Sequence, residues 1–101
     1  MRSVTVHNLK AAIDEGASLI IDVREPYEYA DGHVPGAELM PLMTVPQRLA
    51  DLPTDRTVYV VCAVGARSAQ AAAFLATRGV DAVNVDGGTG EWVAAGYPVE
   101  R

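Results

Sequence analysis

The sequence contains one cysteine, Cys62. The residues that follow it could favour ionisation of its thiol and so make the sulfur a nucleophile. The cysteine ends the strongest predicted strand, residues 58–62, and a predicted helix begins near Arg67 or Ser68. In open α/β sheets, ligands bind beyond the carboxyl ends of the strands. Three of the four residues that follow the cysteine are alanine or glycine, so several backbone N–H groups can turn towards one atom, and the helix start adds about half a positive charge. The pattern indicates a loop that binds an anion.

Such a loop decides whether Cys62 is reactive. A free thiol with a pKa of ~8.5 is only about 3% ionised at neutral pH, whereas helix N-termini and nearby cations lower cysteine pKa values to ~3.5–7.5. Unpaired cysteines are also common as inert apolar residues of the core. Position and composition alone leave both interpretations of Cys62 open.

Four segments of the chain, taken in order, carry a more specific pattern. They are IDVREPYEY at residues 21–29, GHVPGA at residues 32–37, CAVGARS at residues 62–68, and Gly87-Gly88 followed by Trp92 and by GYPV at residues 96–99. Each motif is weak alone, but together they resemble the rhodanese family in its single-domain form, from about Leu9 to Val99. The resemblance implies a rhodanese-like three-layer α/β/α fold with a small, mainly parallel central sheet.

The resemblance also implies a chemistry. Cys62 matches the family's catalytic cysteine, and the loop that binds the substrate maps to Ala63, Val64, Gly65, Ala66 and Arg67, with Ser68 beside them. The implied reaction moves a sulfane sulfur from thiosulfate or a persulfide donor to Cys62, and the resulting persulfide then passes it to a thiol or protein acceptor. This is a covalent, two-step reaction. Because sulfur carries the chemistry itself, no metal or organic cofactor is expected.

Several polar residues near these motifs have two possible roles each. Arg67 could neutralise the bound anion or brace the loop through a carboxylate, with Asp22 as a candidate partner. We expect Arg24 and Asp22 to support the residues that contact the substrate without contacting it themselves. Ser68 could donate a hydrogen bond to the sulfur or cap the next helix. We expect His33, in a turn-rich segment, to make a structural hydrogen bond rather than act as a base.

Two other functions share this fold. The phosphatases and arsenate reductases that resemble rhodaneses carry a loop one residue longer. Residues 62–67 span six positions, which by the same resemblance is the sulfurtransferase length. A recognition or sensory module often lacks the cysteine, which is present here. The side chains at positions 63, 64 and 66 are apolar, so thiosulfate would be held mainly by backbone amides, and weak activity towards it is expected.

Length and charge limit the class of protein. The 101 residues are the size of one domain, so we treat residues 1–101 as a single unit. A net charge of −5 without a cluster of basic residues argues against nucleic acid or an anionic membrane as a partner. The longest apolar stretch, residues 58–66, is far below the ~20 residues that span a bilayer. A lone cysteine and the lack of an apolar leader favour a cytoplasmic location.

Alternating strands and helices must position this loop. An N-cap at Thr5 starts a helix with Val6, Leu9 and Ile13 on its apolar face, and Pro26 starts another. Strands are predicted at residues 19–23, near 38–40, and at 58–62 and 82–85, and further helices at residues 44–52, from 67 or 68 to 78, and 91–95. This alternation is typical of a parallel α/β sheet.

Overall fold

Five parallel strands form the middle layer of the protein in a computed structural model that describes residues 1–16 and 19–101. The strands are β1 (Arg2–Val4), β2 (Ile20–Asp22), β3 (Glu38–Leu39), β4 (Thr57–Val61) and β5 (Asp81–Val85). The α-helices are α1 (Val6–Asp14), α2 (Pro26–Asp31), α3 (Ala66–Ala76) and α4 (Gly88–Ala94), and two 3₁₀ helices cover Leu42–Thr44 and Pro46–Asp51. The strand order is β1-β5-β4-β2-β3, with every pair parallel. The predicted three-layer α/β/α fold is confirmed.

The two outer layers pack on opposite faces of the sheet. Successive side chains of a strand point to opposite faces, so the neighbours Val60 and Val61 of β4 enter different cores. Val60 packs with Leu75 of α3, whereas Val61 packs with Leu9 of α1 and Trp92 of α4. β4, at the centre of the sheet, is therefore covered on both sides, which explains its continuous run of apolar residues.

The edge strand β1 was not predicted from the sequence. It pairs with β5 in parallel register, with Val4 opposite Val85. Arg2 and Ser3 are exposed, so this short edge strand lacks the apolar pattern by which a strand is recognised in a sequence.

The segment predicted as a helix over residues 44–52 forms 3₁₀ turns instead. The N–H groups of Arg48 and Leu52 donate to carbonyls three residues back, not four. Pro46 lies within this segment and Pro53 follows it, and proline has no N–H to contribute to a longer helix. The prediction of an α-helix here is wrong, although its apolar residues Val45 and Leu52 are buried as expected.

The helices agree more closely with their predicted starts. Thr5 caps α1, and its hydroxyl accepts the N–H of Asn8 at 3.1 Å. Pro26 is the first residue of α2, as predicted. None of the described helices has the length and the run of apolar residues that crossing a lipid bilayer requires.

Candidate active site

The candidate site lies at the edge of the sheet where β4 ends. Because all five strands are parallel, their carboxyl ends meet at this edge, and the segments after β2, β4 and β5 lie side by side. The segment after β4 is residues 62–68, which we call the cysteine loop. It begins at Cys62, directly after the central strand, and enters α3 at Ala66.

A glycine allows the cysteine loop to turn back on itself. Gly65 has φ = +106°, a conformation that side chains with a Cβ rarely adopt, and it is the N-cap of α3. A Cβ built on Gly65 would also lie 3.3 Å from the backbone nitrogen of Gly87. Glycine is thus required at position 65 both for the turn and for the close approach of the next loop.

The turn directs hydrogen-bond donors at the sulfur of Cys62. The backbone N–H of Gly65 donates to Sγ at 3.1 Å, and the hydroxyl of Ser68 donates to it at 3.3 Å. Burial raises the pKa of the Cys62 thiol, but hydrogen bonds from the Ser68 hydroxyl and from the backbone amides of Ser68, Gly65 and Val64 outweigh this effect and lower the pKa below its ordinary value. The arrangement favours a thiolate.

The Cys62 side chain is nevertheless almost enclosed. The residue is 1% exposed and packs in the core cluster that also contains Val60 and Ala71. Each of the two interpretations, a core residue and a reactive thiol, therefore describes part of the surroundings of Cys62. The residue is buried, but its sulfur also contacts two polar donors.

Ser68 contacts the sulfur and does not cap the helix. The N-cap of α3 is Gly65, and Ser68 lies within the first turn, where its side chain is fully buried. The alternative prediction of Ser68 as a helix cap is wrong, because the loop closes earlier than the sequence pattern indicates.

Arg67 is tied to a carboxylate, but not to the one expected. Its Nη1 and Nη2 donate to Oε1 and Oε2 of Glu28 at 2.8 and 2.9 Å, a bidentate pair between the cysteine loop and α2. This hydrogen bonding lowers the pKa of Glu28 to about 2 and raises the pKa of Arg67. Asp22 as the partner of Arg67 is therefore a wrong prediction, since Asp22 binds Arg24 instead.

The pair of Asp22 and Arg24 lies beneath the carboxyl edge of β2. Asp22 is fully buried and Arg24 nearly so. Arg24 donates to both carboxylate oxygens at 2.8–3.1 Å, and its Nη2 also donates to the carbonyl of Gly32 at 2.8 Å. This network links the end of β2 to the segment that follows α2.

The start of α4 contributes residues that the sequence did not single out. The Cys62 carbonyl accepts two hydrogen bonds from Thr89, one from its N–H at 2.8 Å and one from its hydroxyl at 3.0 Å. The Ala63 carbonyl accepts the N–H of Gly90 at 2.9 Å. The Gly87-Gly88 pair was the available signal, but it was interpreted as a turn before a helix at residue 91. Glu28 was also missed, although it lies in the motif at residues 21–29.

The two histidines make their hydrogen bonds with residues other than Cys62. The His33 Nδ1 and the Tyr29 carbonyl are 2.9 Å apart, and the two rings stack with centroids 3.6 Å apart, so His33 makes the structural hydrogen bond predicted for it. His7 hydrogen-bonds to the Tyr97 hydroxyl on the surface. In the described part of the chain, no group of three or more histidine, cysteine, aspartate or glutamate side chains is placed to hold a metal ion.

A cleft of about 520 Å³ lies beside the cysteine loop. Ala63 and Val64 form part of its wall, and Arg24, Val93 and Tyr97 form other parts. Val64 projects outwards from the loop and is 72% exposed. The surface next to the loop is consequently mixed in character, because apolar side chains alternate there with Asp31 and two arginines, Arg24 and Arg101.

Comparison with known proteins supports the same family. The family model for the rhodanese-like domain matches residues 5–95. A sulfurtransferase from Allochromatium vinosum is 40% identical over 82 residues, which are 80% of this chain and 77% of that protein. A probable adenylyltransferase/sulfurtransferase, MoeZ, from Mycobacterium tuberculosis is 39% identical over 100 residues, 95% of this chain but only 26% of that protein.

Solved structures agree with the sequence comparison. The crystal structure of a rhodanese-related protein from Thermoplasma volcanium superposes with a TM-score of 0.92 at 35% identity, covering 99% of this chain and 98% of that one. A rhodanese-like domain protein from Staphylococcus aureus gives 0.87 at 41% identity, with 91% of each chain covered. Fold, motifs and relatives coincide, and the chain belongs to the rhodanese-like domain family.

Proposed function

We propose that this chain is a sulfurtransferase that moves a sulfane sulfur from a donor to a thiophilic acceptor through a persulfide on Cys62. The observation that carries the proposal is the convergence of the Gly65 amide and the Ser68 hydroxyl on Sγ, at 3.1 and 3.3 Å. Donors aimed at this sulfur stabilise the thiolate that must attack, as preorganised dipoles do at an oxyanion hole. The sulfurtransferase relatives from Allochromatium vinosum and Mycobacterium tuberculosis support the assignment.

The reaction has two displacement steps. In the first, the Cys62 thiolate attacks the outer sulfur of the donor and forms an S–S bond, while the donor's own S–S bond breaks and its electron pair leaves with sulfite or with a thiolate. In the second, an acceptor thiolate attacks the outer sulfur of the protonated Cys62 persulfide, and the Cys62 thiolate is the leaving group. The sulfur atom moves without a net oxidant or reductant.

The donor that fits this site best is a persulfide. Both terminal nitrogens of Arg67 are engaged by Glu28, so this cation is neutralised before a substrate arrives. The side chains at positions 63, 64 and 66 are apolar, and the protein carries a net charge of −5. Two arginines line the adjacent cleft, but Arg24 is paired with Asp22, and Asp31 lines the same cleft as Arg101. A persulfide carries less negative charge than the thiosulfate dianion and therefore depends less on such cations. The acceptor is a thiol, either a small molecule or part of a protein.

The same ion pair weighs against phosphatase chemistry. A phosphate carries more charge than a persulfide, and the nearest guanidinium of the loop, that of Arg67, is already neutralised by Glu28 in a bidentate pair. The cytoplasmic location expected from the lone cysteine is part of the same proposal, since a persulfide enzyme depends on a supply of reduced thiols.

Intact-mass spectrometry tests the proposed intermediate. The purified protein is exposed to thiosulfate or to glutathione persulfide, then freed of the donor, with Cys62→Ser as the control. We expect the wild-type protein to gain the mass of one sulfur atom and to lose it on addition of a thiol, and the variant to gain none. A wild-type protein that gains no sulfur from either donor contradicts the proposal and favours a recognition module. Rapid release of phosphate from an aryl phosphate would instead favour a phosphatase.

A further inference from the structure

The first turn of α4 holds two peptide groups of the cysteine loop. The N–H and the hydroxyl of Thr89 both donate to the Cys62 carbonyl, at 2.8 and 3.0 Å, and the N–H of Gly90 donates to the Ala63 carbonyl at 2.9 Å. Thr89 is 5% exposed, so bulk water cannot readily replace its hydroxyl. Two consecutive carbonyls of the loop are thus fixed towards α4.

Fixing these carbonyls also fixes the neighbouring N–H groups. In a trans peptide the C=O and N–H bonds point in opposite directions, and no cis peptide bond occurs among the described residues. Because the Ala63 carbonyl faces Gly90, the N–H of Val64 faces the other way. That N–H is the last of several hydrogen-bond donors that lower the pKa of Cys62, after Ser68 and Gly65. The contact with α4 therefore sets the direction of a donor to the sulfur.

Glycines bring the two segments close enough for this contact. A Cβ built on Gly88 would lie 2.5 Å from the Cys62 carbonyl oxygen and 2.7 Å from the carbonyl carbon of Ala63, which is closer than side chains tolerate. Gly65 approaches Gly87 from the other segment less closely, with its built Cβ 3.3 Å from the Gly87 nitrogen. The start of α4 and the cysteine loop therefore pack backbone to backbone, and the Thr89 hydroxyl lies at their contact.

We propose that Thr89 is a positioning residue for Cys62: its hydroxyl holds the Cys62 carbonyl against α4 and so fixes the start of the cysteine loop, from which the loop turns to bring the Gly65 amide and the Ser68 hydroxyl to the sulfur. The inference deepens the proposed function, because it concerns the thiolate that function uses. Without the hydroxyl, the Cys62 carbonyl keeps one donor of two and the loop gains freedom to reorient. The sulfur is then solvated less well by the loop, and its thiolate form becomes less favourable.

The test compares Thr89→Val with the wild-type protein, since valine keeps the branched shape and removes only the hydroxyl. The readout is the rate of alkylation of Cys62 by iodoacetamide as a function of pH, which reports its pKa without sulfur transfer. We expect the pKa of Cys62 to rise by about 0.5, less than the loss of a direct hydrogen bond to the sulfur would cause, because Thr89 acts through the Cys62 carbonyl. Sulfur transfer at neutral pH should fall several-fold, and Thr89→Ser should restore both values.

Thr77→Val is the matched control. The Thr77 hydroxyl also donates to a carbonyl, that of Phe74 at 2.6 Å, but at the far end of α3. This variant should keep the wild-type alkylation profile. If Thr89→Val gives no folded protein, Thr89→Ala provides the same comparison without a branched side chain.

The outcomes separate this inference from the proposed function. A lower melting temperature for Thr89→Val with an unchanged alkylation profile would overturn the positioning role and leave only a structural one. A raised pKa in Thr89→Val supports the role even if the wild-type protein accepts no sulfur from any donor, which would reject the sulfurtransferase proposal alone.

Discussion

Glu28 holds Arg67 through two parallel hydrogen bonds of 2.8 and 2.9 Å, and this ion pair joins the cysteine loop to α2 across 39 positions of sequence. Glu28 also accepts the N–H of Glu25 at 3.0 Å through the oxygen that binds Arg67 Nη1. The carboxylate therefore orders the start of α2 and the end of the cysteine loop together. Arg67 is consequently a brace of the loop in this arrangement.

The stability supplied by Glu28 should depend on pH. Its pKa falls from an ordinary 4.5 to about 2 in the folded protein, so its contribution is fully present above pH 4.5 and disappears as the pH falls towards 2. We expect Glu28→Gln to lower the stability at neutral pH by about 1 kcal/mol, because the pair is partly exposed. Melting temperatures measured between pH 2 and 7 should show the two proteins converging at the acidic end. Glu15→Gln, at the exposed end of α1, should follow the wild-type curve throughout.

Ser68 should control the acidity of Cys62. Its hydroxyl is 3.3 Å from Sγ, and loss of this hydrogen bond removes a group that favours the thiolate. We expect Ser68→Ala to shift the pH profile of Cys62 alkylation to higher pH and to slow persulfide formation about tenfold at neutral pH, as a rise of about one in the pKa requires. An unchanged profile would show that the backbone amides alone set the acidity.

Substitution of Gly88 should disrupt both the fold and the site. A Cβ at this position lies 2.5 Å from the Cys62 carbonyl oxygen, and the backbone has φ = +58°. Gly79 provides the matched control, since it has φ = +82° but no atom within 4 Å of the built Cβ. Gly79→Ala should cost about 1 kcal/mol from backbone strain alone. Gly88→Ala should cost at least about 2 kcal/mol more by urea denaturation and should lose sulfur transfer.

The buried pair of Asp22 and Arg24 should be far more sensitive than a surface pair. Arg24→Gln leaves the Asp22 carboxylate buried without its cation, which typically costs about 3–5 kcal/mol. Arg2→Gln breaks the exposed pair with Asp81 and should cost about 1 kcal/mol or less. Urea denaturation distinguishes the two cases, and the double variant Asp22→Asn/Arg24→Gln should recover part of the loss. Equal costs for the two single variants would contradict the role of burial.

Local patterns predicted the elements that carry the cysteine. β4 is apolar on both faces, the small residues after Cys62 allow the turn, and Pro26 marks the start of α2, so each of these features is visible in consecutive residues. Ser68 was correctly considered as a donor to the sulfur, because its distance along the chain from Cys62 is short. The parallel sheet was also predicted, from the alternation of strands and helices.

Contacts between distant segments could not be predicted in the same way. Arg67 could reach a carboxylate from any neighbouring loop. Its partner is Glu28 and not Asp22 because of where α2 lies, which local sequence patterns do not show. Thr89 lies 27 residues after Cys62 and carries no pattern of its own, since its hydroxyl and its N–H acquire a role only when α4 meets the loop. β1 was missed for a related reason: an exposed edge strand is stabilised by backbone pairing, which side-chain types do not reveal.

The enclosure of Cys62 has a consequence for encounters between copies of the protein. Two molecules cannot bring their sulfur atoms into bonding distance when each thiol is 1% exposed beneath its own loop. Air oxidation of a concentrated solution should therefore produce little covalent dimer, even though the thiol is acidic. The same loop that lowers the pKa of the Cys62 thiol also keeps its sulfur from crosslinking to a second copy.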